Sequence, residues 1–316
     1  MEIDQAWLTR IRQVCDAYRL DGGPDTIITK AARGMNNPIF LIGDAYVIRF
    51  DGLTGIAESR FATEQTIYRA LENSEVPVPQ VIAVDQTRRF WTGDVMVMTR
   101  IPGSAAIDIW DLLSPDQRTR LAGQFGVALA RLHAVQFDNF GRLRTIQQYP
   151  CRTWLDWADQ FFGRYMIQAD AAGVLPERLR NSIRESYLRN RARLNAVTQG
   201  VLVHGDAHFE NVLQLDGQLT GIVDFEWALS GDPSADFQVE EQWAQVDPAS
   251  LAIIYEAYQS IRPLPSDHRE RAALYKLLRH LDSAVESKDS PDDQTAQGDF
   301  EDAIAHIQAA LTVLST

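Results

Sequence analysis

Residues Gly200 to Glu226 constrain this chain more tightly than any other stretch. Gly200-Val-Leu-Val-His204 is an apolar run that feeds a polar loop, His204-Gly-Asp-Ala-His-Phe-Glu-Asn211. Val212-Leu-Gln-Leu215 and Leu219-Thr-Gly-Ile-Val223 then flank Asp216-Gly217. Asp-Gly between apolar runs is a strong hairpin signal, because the favoured type I′ turn needs positive φ at both central residues. A hairpin returns the chain, so Asp224 at its end comes close to Asn211 near its start. Asp206 lies upstream, in the loop itself. Taken singly, each of these residues reads as an ordinary turn or cap residue, and His204 as a hydrogen-bonded core histidine. Together they set out a reaction. Phosphoryl transfer needs an acid beside the attacking hydroxyl and oxygen ligands that hold Mg²⁺ against nucleotide phosphates.

The surrounding chain supports two domains of different character. Before Pro102-Gly103 the runs Thr26–Thr29, Pro38–Ile42, Ala45–Phe50, Val81–Val84 and Val95–Thr99 are short and apolar or β-branched, with Gly, Asn and Asp between them. One helix, Glu58 to Leu71, interrupts these strands, and Val76-Pro-Val-Pro79 ends it. After residue 102 the pattern is helical. Ser114-Pro-Asp-Gln117 is a capping box with proline at the first helical position. Further helices are expected at 154–165, 176–194, 248–261 and 265–286. A hydrophilic loop from Ser287 to Asp299 precedes a closing helix marked by Phe300, Ile304, Ile307 and Leu311. The expected division is therefore 1–101, strand-rich, and 102–316, helical.

Charge narrows the partners. Thirty basic against forty-three acidic residues leave a net charge of −13 in 316 residues. That field disfavours nucleic acid and favours a cationic small molecule over an anionic one. Cys15 and Cys151 have no metal-type spacing and read as reduced thiols. The acidic N-terminus does not resemble a signal peptide, and no apolar run approaches a membrane span, so a cytoplasmic protein is expected.

The motifs His204-Gly-Asp-x-His208-x-x-Asn211, Ile222-Val-Asp224-Phe-Glu226 and Gly231-Asp-Pro-x-x-Asp236-Phe resemble those of the aminoglycoside phosphotransferase family. That family is grouped with choline kinase, homoserine kinase and fructosamine kinase. Ala128-Leu-Ala-Arg-Leu-His133 is similar to its "L-x-x-L-H" segment. The resemblance implies an α+β, two-lobed protein kinase-like fold, with a small strand-rich nucleotide lobe and a larger helical lobe. It implies Asp206 as catalytic base or orienting carboxylate, and Asn211 and Asp224 as Mg²⁺ ligands. His204 supports the loop, Asp236 braces it, and the roles of His208 and Glu226 stay open.

In the strand-rich part, Arg33-Gly-Met-Asn-Asn37 resembles the family's nucleotide loop, so Gly34 and Asn36 are candidate phosphate contacts. Arg49 takes the place of the protein-kinase lysine, with Glu64 as its partner. Val97-Met-Thr-Arg-Ile101 resembles the hinge, with Met98 behind the base and Thr99 and Ile101 offering backbone groups. ATP is preferred to GTP. The implied activity is transfer of the γ-phosphate to a hydroxyl of an aminoglycoside-type acceptor, with a role in antibiotic resistance. Asp156, Asp159, Glu240 and Glu241 are candidate acids for binding such a cation. Choline, homoserine, a sugar or a macrolide are alternative acceptors. A metallophosphoesterase would need more ligands than Asp206, His208 and Asp232 provide. An inactive nucleotide-binding protein has only Arg49 in its favour. Oligomeric state is not legible in the sequence.

Overall fold

The computed structural model describes residues 3–20, 26–31, 37–52, 59–287 and 294–315. In chain order the elements begin with α1 (Gln5–Tyr18), β1 (Ile28–Lys30), β2 (Ile39–Ile42), β3 (Tyr46–Phe50) and α2 (Arg60–Leu71). β4 (Val81–Asp85), β5 (Val95–Thr99), β6 (Ser104–Ala105), α3 (Ala106–Ile109) and α4 (Pro115–Leu132) follow. Next come β7 (Gln136–Phe137), β8 (Gly141–Arg142), α5 (Trp154–Ala172), α6 (Glu177–Asn190) and β9 (Gly200–Val203). β10 (Val212–Leu215), β11 (Gln218–Ile222) and β12 (Leu229–Gly231) precede α7 (Glu240–Val246), α8 (Pro248–Gln259), α9 (His268–Glu286) and α10 (Gln294–Leu314).

These elements form two compact units. The first comprises Met1–Leu132, His208–Trp227 and Ala252–Tyr258. Its main sheet is antiparallel with strand order β1-β2-β3-β5-β4. The interior strand β5 is apolar at four successive positions, all buried. Such a run fits a strand covered on both faces rather than an alternating, half-solvated one. Trp7 of α1 packs edge-on against Phe50 and tilted against Phe40 and Trp91. A second sheet, β11-β10-β6, contains the hairpin.

The hairpin closes as its sequence demands. Asp216 and Gly217 have φ of 53° and 73°, the left-handed pair that a type I′ turn requires. Val212 lies opposite Ile222, with an irregularity at Leu213/Gln214. The helix start at Ser114 also forms: the Gln117 N–H donates to Ser114 Oγ at 3.3 Å, and the Ser114 N–H to Gln117 Oε1 at 2.9 Å.

The second unit comprises His133–Ala207, Ala228–Leu251 and Gln259–Thr316. A four-stranded sheet, β7-β9-β12-β8, carries β9 in its interior, buried at all four positions. Around it α5, α6, α9 and α10 bury Trp154, Ile183, Tyr187, Leu274, Leu281 and Ile307 in one apolar cluster.

Two boundaries depart from the sequence expectation. The stretch from Ser287 to Asp299, expected as a loop, is helical from Gln294 onward. Its polarity misleads because the apolar positions of α10 that the structure shows buried, Ala303, Ile307, Ala310 and Leu314, come later in the helix. The expected helix at 176–194 gives way after Asn190 to a tighter helical segment, Arg191–Ala196. Among the described residues no helix is long and apolar enough to cross a membrane.

Candidate active site

In the first unit the site is built around a buried arginine. Arg49 on β3 donates from Nη1 to Glu64 Oε2 of α2 at 2.7 Å, and its Nη2 lies 3.5 Å from Asp224 Oδ1. The Tyr68 hydroxyl donates to the same Glu64 oxygen at 3.4 Å and accepts the Asp224 N–H at 3.1 Å. Tyr68 stands four residues after Glu64, so both lie on one face of α2. Burial works against the Arg49 charge, but the Glu64 and Asp224 carboxylates hold its pKa above the ordinary value. Burial pushes the Glu64 carboxyl up to about 7 against the pull of Arg49.

Asp224 differs from its neighbours in exposure and backbone. Its side chain is 42% exposed, against 4% for Arg49 and 0% for Glu64. Its φ is 69°, a left-handed conformation that costs a non-glycine residue about 1 kcal/mol or more. The Tyr68 hydroxyl on its N–H and the adjoining Val223 N–H, bonded to the Asn211 carbonyl at 3.0 Å, hold that conformation in place. Asn211 is thus tied by its backbone to the residue before Asp224, as the hairpin argument required.

A second buried arginine, Arg60, was missed by the sequence reading. It bridges Asp51 and Glu226 and donates to Asn37 Oδ1 at 3.1 Å. Asn37 also donates to Glu226 Oε2 at 3.4 Å. Glu226 therefore faces Arg60 and Asn37, and burial raises its pKa. No motif marks this pairing, since 166 residues separate Arg60 from Glu226.

This cluster suits a magnesium–nucleotide. Four carboxylates (Asp51, Glu64, Asp224, Glu226) face two guanidiniums (Arg49, Arg60), and of the four Asp224, 42% exposed, is the one open to a cation. Among the described residues no group of three or more His, Cys, Asp or Glu side chains forms a complete metal cage. Mg²⁺ suits such a sparse set, because it takes one or two protein oxygens and fills its octahedron with water and phosphate. Of the remaining expected residues, Met98 is buried in β5 opposite Val47. The Thr99 N–H is bonded to the Gln80 carbonyl at 2.9 Å. Ile101 packs so closely against Gly221 that a Cβ added there would overlap Ile101 Cδ1 and force that side chain to move. Gly34 and Asn36 lie outside the described residues.

In the second unit the loop after β9 is held from beneath by Asp236. This carboxylate, 1% exposed, accepts from the His204 N–H at 2.9 Å and the Gly205 N–H at 2.7 Å, and lies 2.9 Å from His133 Nε2. Gly205 has φ of 80°, which turns the chain so that Asp206 follows on the open side. His204 is fully buried, and its Nδ1 accepts the Asp206 N–H at 3.3 Å. Trp243 of α7 donates to the Ala207 carbonyl at 2.8 Å. In the first unit, His208 accepts the Glu210 N–H on Nδ1 at 3.3 Å, and its carbonyl accepts the Asn211 N–H at 2.9 Å.

Arg279 of α9 is the second residue that sequence reasoning missed. It donates from Nη2 to Asp206 Oδ1 at 2.6 Å and from Nη1 to the Gly205 carbonyl. The one available signal was the polar stripe Arg271, Tyr275, Arg279 and Asp282 at helical spacing, and that stripe does not say which loop it meets.

The model of the phosphotransferase enzyme family (APH) matches residues 27–275. The chain belongs to this family. It is a phosphotransferase acting on hydroxyl groups, and a small-molecule kinase. Solved structures carry the same protein kinase-like fold, a strand-rich sheet region with a helical region. Aminoglycoside phosphotransferase APH(2'')-Ib with ADP bound is 18% identical with a TM-score of 0.70, covering 98% of this chain and 99% of that one. The gentamicin complex of APH(2")-IIa is also 18% identical, covers 98% and 97%, and has a TM-score of 0.70. A putative aminoglycoside phosphotransferase from Ralstonia eutropha JMP134 is 16% identical, covers 98% of each chain and has a TM-score of 0.70. At these identities the structural likeness establishes the fold of this APH-family member.

Proposed function

We propose that this APH-family kinase moves the γ-phosphate of ATP onto a hydroxyl of a small-molecule acceptor, with Asp206 as the base or orienting carboxylate. Asp206 carries the reading. Its loop is held by Asp236 through two backbone N–H groups while the Asp206 side chain stays 15% exposed. A carboxylate held this way can take a proton from a hydroxyl without reorganising its support. Asn211 and Asp224 would hold Mg²⁺ through hard oxygens, and the ion would supply charge neutralisation at the phosphates. Arg49, fixed by Glu64, would meet phosphate oxygens with a planar pair of donors where protein kinases use a lysine. The Thr99 N–H is already bonded to Gln80, which narrows base recognition at that residue to its carbonyl, with the Ile101 amide as the second contact.

An aminoglycoside acceptor, and with it a resistance role, draws support from relatives solved in complex with gentamicin and kanamycin. The deciding experiment is a mass-spectrometric screen of the purified chain with ATP–Mg²⁺ against aminoglycosides, macrolides, choline, homoserine, sugars and sugar acids. Asp206→Ala should lower transfer by about 10²–10⁴-fold, with ATP affinity nearly unchanged. Near-normal turnover in that variant would remove the base assignment. Phosphate released from a phosphomonoester without nucleotide would instead revive the phosphoesterase reading.

A further inference from the structure

The charge that an acceptor meets beside Asp206 is set by α9. Arg271, Tyr275, Arg279 and Asp282 recur along one face of this helix and bond in turn to Asp232, Asp232, Asp206 and Arg142. At the Asp206 position the guanidinium is not sealed off: 32% of the Arg279 side chain is exposed, with its Nη2 held 2.6 Å from Asp206 Oδ1. A hydroxyl that approaches this carboxylate must come within a few ångströms of a permanent positive charge.

Two of the acids expected to counter that charge are already neutralised. Asp159 accepts from Tyr187 at 2.9 Å and from Arg191 Nε at 2.8 Å. Glu241 lies 2.6 Å from Lys276 Nζ and 3.5 Å from His306 Nδ1. Lys276 and Arg279 are three residues apart on α9, the first paired with Glu241 and buried, the second paired with Asp206 and one third exposed. The net charge of −13 favours cations only at long range, where salt screens it beyond about 8–10 Å. At contact distance Arg279 compensates Asp206, and its remaining N–H groups, on a side chain 32% exposed, are the donors that an acceptor meets. An ammonium beside this pair gains less from Asp206 than it would from an unpaired carboxylate. A carboxylate or phosphate would gain charge-assisted bonds to a planar donor.

We propose that Arg279 positions Asp206 and selects the acceptor, and that this acceptor bears a carboxylate or phosphate close to the hydroxyl that is phosphorylated. The proposal rests on the reading of Asp206 as the base. The acceptor oxygen bonds to the γ-phosphorus of ATP as the bond from that phosphorus to the β–γ bridging oxygen breaks. ADP leaves with the electron pair, and the hydroxyl proton passes to the Asp206 carboxylate. Arg279 holds that carboxylate in place and binds the neighbouring anion.

The test uses the full chain with ATP–Mg²⁺ and three acceptor classes, with products read by mass spectrometry. Hydroxy acids such as glycerate and gluconate form one arm, and sugar monophosphates a second. Kanamycin, gentamicin and choline form the cationic arm. The expected result is transfer to a member of one anionic arm, which decides between carboxylate and phosphate, with a lower kcat/KM for the cationic arm. For the acceptor found, Arg279→Ala should raise KM about 10- to 100-fold, and Arg279→Lys should recover part of that loss. The matching alcohol without its acid group should show no KM change in Arg279→Ala. A role confined to positioning Asp206 would instead lower kcat equally for the acid and the alcohol and leave both KM values unchanged, and that result would overturn the proposal that Arg279 selects the acceptor. Kanamycin, gentamicin or choline turned over as well as the acids would overturn it while leaving the kinase reading intact. Transfer to no arm, with ATP–Mg²⁺ bound, would sink both.

Discussion

Arg49 Nη1 lies 2.7 Å from Glu64 Oε2, with 4% of one side chain and 0% of the other exposed. Such a pair is costly to bury and more costly to break, because removing one partner strands an uncompensated charge. Glu64→Ala should therefore destabilise the fold by about 3–5 kcal/mol, read as a lower urea midpoint at unchanged slope. Glu64→Gln keeps the volume and one acceptor oxygen and should cost less. If Glu64→Ala unfolds within about 1 kcal/mol of the parent, the pair contributes no more than a surface bridge and the role given to Arg49 loses its anchor.

Asp224 tests whether strain is kept for function. Its φ of 69° is one that glycine adopts freely. Asp224→Gly should relieve about 1 kcal/mol of strain, offset in part by the lost 3.5 Å contact to Arg49. The expected outcome is a melting temperature close to or above the parent's, with Mg²⁺-dependent nucleotide binding largely lost. Metal dependence that survives in a stably folded Asp224→Gly would exclude Asp224 as a ligand.

The parts of this molecule legible in the sequence are those governed by local chemistry. Asp216-Gly217 announces its turn because few residues accept positive φ, and Ser114–Gln117 announces a helix start because its bonds run between neighbours. The approach of Asn211 to the residue before Asp224 was readable for a similar reason, since a hairpin of known type fixes where its ends go. Arg60 and Arg279 were not readable. Their partners Glu226 and Asp206 lie 166 and 73 residues away, and only the packing of α2 and α9 brings them together. The same limit applied to acceptor charge: composition gave the sign of the distant field, whereas the contact field depends on which acids Lys276 and Arg191 already neutralise.

Two glycine substitutions separate a required glycine from a tolerated one. Gly217 sits at φ 73°, and a Cβ there would lie 2.5 Å from Gln117 Cβ. Gly217→Ala should therefore cost about 1–2 kcal/mol and loosen the hairpin that carries Asp224. Gly163 lies within α5, and an alanine methyl there would meet nothing within 4 Å. Gly163→Ala should add about 0.5–1 kcal/mol through helix propensity alone. Thermal denaturation of both variants decides the matter, and equal shifts of the same sign would contradict the argument.

His280 gives the fold an acid sensitivity separate from its carboxylates. Its ring stacks on His306 with centroids 4.3 Å apart. Burial first, then His306, Arg279 and Lys276, push its pKa down to about 3 from an ordinary 6.5. A histidine kept neutral in the fold but protonated in the unfolded chain contributes stability that is complete above pH 6.5. That contribution is lost progressively as pH falls towards 3, because the unfolded state binds the extra proton. Between pH 7.5 and pH 5 the loss should be about 2 kcal/mol. His280→Phe preserves a ring for the stack and removes the titration, so its stability should fall less over the same interval. The remaining ionisable groups are common to both proteins, and the difference between their urea midpoints isolates this one side chain. Parallel curves for the two proteins from pH 7.5 to 5 would show that His280 is free to take up its proton in the folded state.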